Sequence, residues 1–474
     1  MLKRSRTLGC VISLLLTLLL AGCSSTPAQQ GKASSVTPTI STPTPTTAVT
    51  PTSTPTPATD PATDWTTYHQ NNSRTGYVAD TPDPQKLTRA WSRTLDGAVY
   101  AEPLVVGGRV IVATEGDSFY AFDRQSGKQL WRTHVGTPVP QSTLPCGDID
   151  PLGITGTPVY DPATGLVFAV AEVSGPAHML FGLDVTTGAV KIHRSADLSG
   201  VNPRAYQQRG ALALWKNMVY ITYGGLAGDC GDYRGTVLAA RTDGTGSLLS
   251  FRVPTPREGG IWTPPGPSID ENGNLYVSVG NGEKTSGSWD HSDSVLRLSS
   301  TLQLEDGFAP VNWRQENATD ADLGSTGPIL LAHGWIYADG KSGLGYVLKA
   351  SHLGGVGGQT SVVSLCRAFG GDAAIGSQVF VPCTSGLRSI TISSTGRITL
   401  GWHASGSLQG SPVVGGHTVY SLDTQGVLFA LNSSSGATRA SIAVGSCTRF
   451  ATPTISGRMI FVGTYSGIVA VTIA

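Results

Sequence analysis

The chain has 474 residues, with 60 glycines, 4 methionines and only 14% charged side chains. Its 32 basic residues balance 32 acidic ones, which argues against a nucleic-acid or polyanion partner. So much glycine disfavours helices and favours many short strands joined by tight turns.

The N-terminus reads as an export signal. Lys3, Arg4 and Arg6 precede a leucine-rich apolar run over residues 11–20, too short to span a bilayer comfortably. Leu20-Ala21-Gly22-Cys23 follows and resembles the lipobox of bacterial lipoproteins. That resemblance implies cleavage of residues 1–22 and acylation of Cys23, with an extracytoplasmic protein held by lipid to the cell membrane, or to an outer membrane. Two or more acyl chains anchor stably where one does not. Residues 23–63 are Thr, Pro, Ser and Ala with almost no large apolar side chain, so they are expected to remain a disordered, extended spacer.

Cys10 leaves with the signal and Cys23 carries lipid, leaving five cysteines in an oxidising compartment. Cys366 and Cys383 flank a hairpin-like unit and are expected to pair. Cys146 and Cys230 lie in Gly/Asp-rich loops and are expected to form a second bridge. Cys447 is then left over. No CxxC occurs, which weakens zinc and redox-motif readings.

Residues 64–474 are dominated by a repeat. EPLVVGGRVIVATEGDSFYAFDRQSGKQLWRTHV at 102–135 and SPVVGGHTVYSLDTQGVLFALNSSSGATRASIAV at 411–444 share one pattern of strands and glycine turns. Each reads as a four-stranded meander, the content of one propeller blade. Degenerate copies start at Thr155, Arg209, Pro264, Ser325 and Gly371, and a last one at Ala451 ends after three strands. The missing fourth strand is expected from residues 87–95, which would close the ring and remove an open edge. The expected fold is all-β, a single eight-bladed propeller, with seven blades the alternative if the third and fourth units are cut differently. Trp91, Trp131 and Trp402 are expected at blade junctions.

These repeats, led in by WTTYHQNNSRTGY at 65–77, resemble the quinoprotein-like, PQQ-binding-like repeat propellers. The resemblance implies either a PQQ- and calcium-dependent alcohol or sugar dehydrogenase, or a cofactor-free scaffold of envelope assembly. It places Trp262 (GGIWTPP), Lys341 (GKSG) and Arg234 (DYRG) as cofactor contacts, and Asn281 (VGNG) with Asp229 or Asp232 as calcium ligands. The chain departs from the dehydrogenase pattern at several points. The calcium-binding glutamate before Arg234 is absent, as is a vicinal Cys-Cys at Cys146. Gly287-Ser288-Trp289, with Asp290 and Asp293 nearby, stands where a catalytic aspartate belongs, and an alcohol oxidation needs a well-placed carboxylate base. No CxxCH exists for haem. The leading expectation is therefore a monomeric, membrane-anchored module that binds a small ligand or an envelope protein without intact quinoenzyme chemistry.

Overall fold

The computed structural model describes residues 64–474. The export signal, Cys23 and the Thr/Pro segment lie outside the described residues. Eight four-stranded meanders follow one another as blades. In chain order they cover residues 104–134, 159–195, 213–252, 268–309, 329–364, 373–405 and 413–443, and the eighth joins 454–473 to 87–94. Two blades gain a parallel fifth strand: Gly355–Val356 beside Leu304–Ala309, and Tyr77–Val78 beside Val413–Gly415.

Burial grades outward through each blade, and the sequence follows it. The first strand of blade 1, Leu104–Val106, is apolar and buried throughout. The last, Gln129–His134, is mostly exposed, with Trp131 turned in and Leu130 and Arg132 turned out. A strand covered on both faces reads as an apolar run; one half-covered reads with period two.

Leu87–Thr94 pairs antiparallel with Gly467–Ile473 as the outermost strand of blade 8. The two ends of the described chain thus share one sheet, and no edge between first and last blade is left open.

Blades are joined by a repeated tryptophan–glycine contact. Trp91 (blade 8), Trp131 (blade 1) and Trp402 (blade 6) each lie against a turn glycine of the next blade: Gly127, Gly188 and Gly436. Each indole N–H also donates to a carbonyl of that turn: Arg124, Val185 and Ser433, at 3.1, 3.1 and 2.8 Å. Only glycine leaves room beneath the ring, and its positive φ there suits the tight turn.

The lead-in segment 65–78 closes one end of the hub. It runs around the first strands of the blades and bonds to them in turn. Trp65 exchanges bonds with Val105, and Thr66 accepts from Tyr160. Asn72 donates its side-chain amide to Leu214 and accepts at its carbonyl from Ile269. Ser73, Thr75 and Gly76 accept from Leu330, Ala374 and Val414 at 3.0, 2.8 and 2.7 Å. Seven blades are tied to one short segment. Arg74 fixes its middle, donating to Pro267 O, Thr67 Oγ1, Tyr68 O and Leu212 O at 2.8–3.4 Å while 2% exposed.

Candidate functional site

The opposite end of the hub is open. Segments that enter the first strands, and turns between the second and third strands, surround a funnel of about 950 Å³. Its volume lies in the range of small-molecule sites. Tyr100, just before the first strand of blade 1, faces this funnel, whereas Gly107 just after that strand binds Asp64 at the plugged end. The described chain therefore begins on the face away from the funnel mouth.

Cys146–Cys230 and Cys366–Cys383 are both disulfide-bonded, and Cys447 is free and buried. The first bridge clips two loops at the rim, so that Asp148 and Ile149 stand beside Gly228 and Asp229 in the lining.

Trp262, Asn281, Lys341 and Asp229 all line the funnel, although they come from separate blades and connecting loops. Asp232 and Arg234 do not line it. Asp232 is exposed, and Arg234 lies to the side with its guanidinium toward the Thr255 carbonyl at 3.5 Å. Asp293 sits behind the wall, fully buried. Burial and the neighbouring Glu316 hold its carboxyl well above the usual carboxylate range. Asp290 accepts from Ser292 and serves its own loop.

Lys341 reaches over Trp262, 5.7 Å from the ring centroid, and is neutralised from below by Asp322 at 2.9 Å and by Asp320. Asp229 accepts the Tyr233 hydroxyl. Glu258, on the connection leading to Trp262, holds Arg257. A calcium-held quinone needs several hard oxygen donors converging on the ion. Here Asp229, Asp320 and Glu258 already face their own partners, Asp232 lies off the funnel, and no three His, Cys, Asp or Glu side chains among the described residues converge as a metal site. The residues present do not fit that group.

Three arginines escape a reading that follows motif positions alone. Arg209, Arg367 and Arg449 precede the first strands of blades 3, 6 and 8 and line the funnel with Phe369 and Phe450. Arg449 lies 4.1 Å from the Phe369 ring centre and 4.8 Å from that of Phe450. Arg209 is 4.2 Å from Phe450, and Arg367 is 5.3 Å from Phe369. Among the described residues no carboxylate pairs with any of the three. Burial holds Arg209 below the usual guanidinium range even though Asp148 pulls the other way, and the neighbouring charge of Arg449 lowers it further. Burial and Arg367 do the same to Arg449. The signal in the sequence was the echo between Cys366-Arg367-Ala368-Phe369 and Cys447-Thr448-Arg449-Phe450 at equivalent blade positions.

With this geometry in view, residues 88–225 match the family model described as outer membrane protein assembly factor BamB. The ring also superposes on solved propellers. A europium-containing methanol dehydrogenase aligns with a TM-score of 0.68 at 14% identity, covering 88% of this chain and 99% of that one. The quinohemoprotein alcohol dehydrogenase of Comamonas testosteroni gives 0.66 at 17%, covering 86% and 80%. BamB from Moraxella catarrhalis gives 0.58 at 16%, covering 82% and 100%. The fold is a quinoprotein-type propeller. At these identities the likeness fixes architecture alone, since one fold hosts many functions. No curated protein matches the sequence significantly. Among the described residues, no helix is long and apolar enough to cross a membrane.

Proposed function

We propose that the chain is a lipid-anchored, extracytoplasmic propeller whose funnel binds a ligand and does not turn it over. The observation that carries this is an asymmetry of charge at the mouth. Asp229 and Asp320 are engaged by Tyr233 and Lys341, while Arg209, Arg367 and Arg449 hold no acidic partner among the described residues. A site with unpaired arginines, whose one unengaged lining carboxylate among the described residues, Asp148, stands exposed on the rim, is suited to holding a ligand rather than to taking a proton from an alcohol. The lipobox-like Cys23 and the Thr/Pro spacer support display from a membrane. The funnel opens away from the face on which the described chain begins, which leaves it accessible on a tethered protein.

Two measurements test the proposal. Cys23→Ala should move the protein from the membrane fraction to the soluble one and abolish labelling by palmitate. Purified protein titrated with PQQ and calcium, and assayed for dye-linked oxidation of an alcohol panel, should show no turnover. Saturable binding with turnover overturns the binding-module reading in favour of a dehydrogenase. A scaffold role in envelope assembly is the second reading. It is favoured by the match over residues 88–225 and by alignment across the whole Moraxella BamB chain.

A further inference from the structure

We infer that the funnel selects a small oligoanion, a molecule bearing two or more phosphate or carboxylate groups, through Arg209, Arg367 and Arg449. The inference rests on the funnel being the binding face and names what it binds.

Phe369 lies beside both Arg367 and Arg449, and Phe450 beside both Arg209 and Arg449. Trp262 has Arg209 and Lys341 each 5.7 Å from its ring centre. Every ring of this group is shared by two cations, so the rings orient guanidinium groups and leave little face for a flat ligand to stack on. A stacked guanidinium keeps its N–H edge free, and that edge matches the paired oxygens of carboxylate or phosphate.

Three like charges sharing two rings repel one another, and Arg209, the partly buried one, is the least screened by water. Asp148 is the one carboxylate of the lining whose field reaches both Arg209 and Arg449, and it stands exposed on the disulfide-clipped rim. A ligand with two or more acid groups relieves this repulsion; a single acid group relieves it in part, and an uncharged one not at all.

Calorimetry on the full-length protein in detergent tests the inference, with inorganic pyrophosphate and citrate as probes and glucose as the uncharged control. Either anion should bind saturably at low salt, and the stronger of the two identifies phosphate or carboxylate as the natural chemistry. Arg367→Gln and Arg449→Gln, both at exposed positions, should each weaken binding about tenfold or more, with partial recovery in Arg449→Lys. Asp148→Asn should tighten it. Raising salt to about 0.5 M should weaken it. Circular dichroism and melting should show each variant folded. Anions that are inert at low salt, or that bind the glutamine variants as tightly as the parent, overturn the inference. If anions are inert but an uncharged ligand quenches Trp262, the oligoanion fails and the binding funnel survives. If pyrophosphate binds with no response to Arg367→Gln or Arg449→Gln, its site is elsewhere and the oligoanion inference falls.

Discussion

His178 Nδ1 lies 2.9 Å from Asp197 Oδ1, and the opposite ring nitrogen lies 3.6 Å from Glu172. The imidazole is 3% exposed between blades 2 and 3, edge-on to Tyr223. Burial works against its charge, but Glu172 and Asp197 outweigh it and raise His178 to about 9. A histidine raised in the folded state stabilises fully below its unfolded value near 6.5 and loses that contribution as pH climbs through 9. The difference in melting temperature between the parent and His178→Gln should therefore be large at pH 6, corresponding to roughly 3 kcal/mol, and should shrink steadily toward pH 9.5. A gap that is constant over this range would mean that the ring is neutral.

Gly188 turns with φ of +72° directly beneath Trp131, and a Cβ added there would stand 2.6 Å from the indole. Gly188→Ala combines a strained backbone with overpacking at a blade junction, and should cost about 2–4 kcal/mol. Gly165, with the same φ and nothing within 4 Å of an added Cβ, isolates the backbone part. Its alanine variant should lose about 1 kcal/mol. Thermal melts of the two variants check the comparison; equal losses would show that the tryptophan contact carries no weight.

The architecture was legible because a propeller writes itself repeatedly. Eight copies of the strand-and-turn pattern, a final copy short of one strand, and a matching strand at Leu87–Thr94 determine the closed ring. Cys146 and Cys230 also lay in loops the repeat brings together, and Cys366 pairs with Cys383 at the end of the strand Gln378–Cys383. The funnel chemistry was less legible. Overall neutrality conceals a local cluster, because Arg209, Arg367 and Arg449 are 82 or more residues apart and meet only once the ring closes. Asp232 and Arg234 sit in the right segment, yet the turn after Cys230 points them away from the lining, a direction that residue spacing does not encode.

The Cys146–Cys230 bridge closes a separation of 84 residues and pins both rim loops that carry Asp148 and Asp229. In the chain-entropy view a loop of that length contributes about 4.6 kcal/mol, against about 3 kcal/mol for the 17-residue separation of Cys366 and Cys383. Replacing Cys146 and Cys230 by serine should lower the melting temperature more than replacing the other pair. It should also speed proteolysis at residues 146–150 and 227–232, since the rim loses its clip. Protease mapping with mass spectrometry reads this out, and cleavage unchanged at the rim would show that other contacts hold the loops.

Arg74 is the most consequential single residue of the lead-in segment. Its four donor contacts run to backbone and hydroxyl oxygens inside the plug and in blades 3 and 4, and water has almost no access. Arg74→Met keeps much of the volume but leaves those oxygens unpaired, at an expected cost of about 3–5 kcal/mol. The loss should be visible amide by amide. Tyr160, Ile269, Leu330, Ala374 and Val414 each donate a backbone N–H to the segment. Hydrogen exchange at these five positions, in five different blades, should accelerate together, whereas amides between the second and third strands of the same blades should not. Acceleration confined to blades 3 and 4 would mean that the blades hold the plug independently and that the segment does not act as one fastener. A coordinated response would show that fourteen residues at the start of the propeller set the stability of its whole hub.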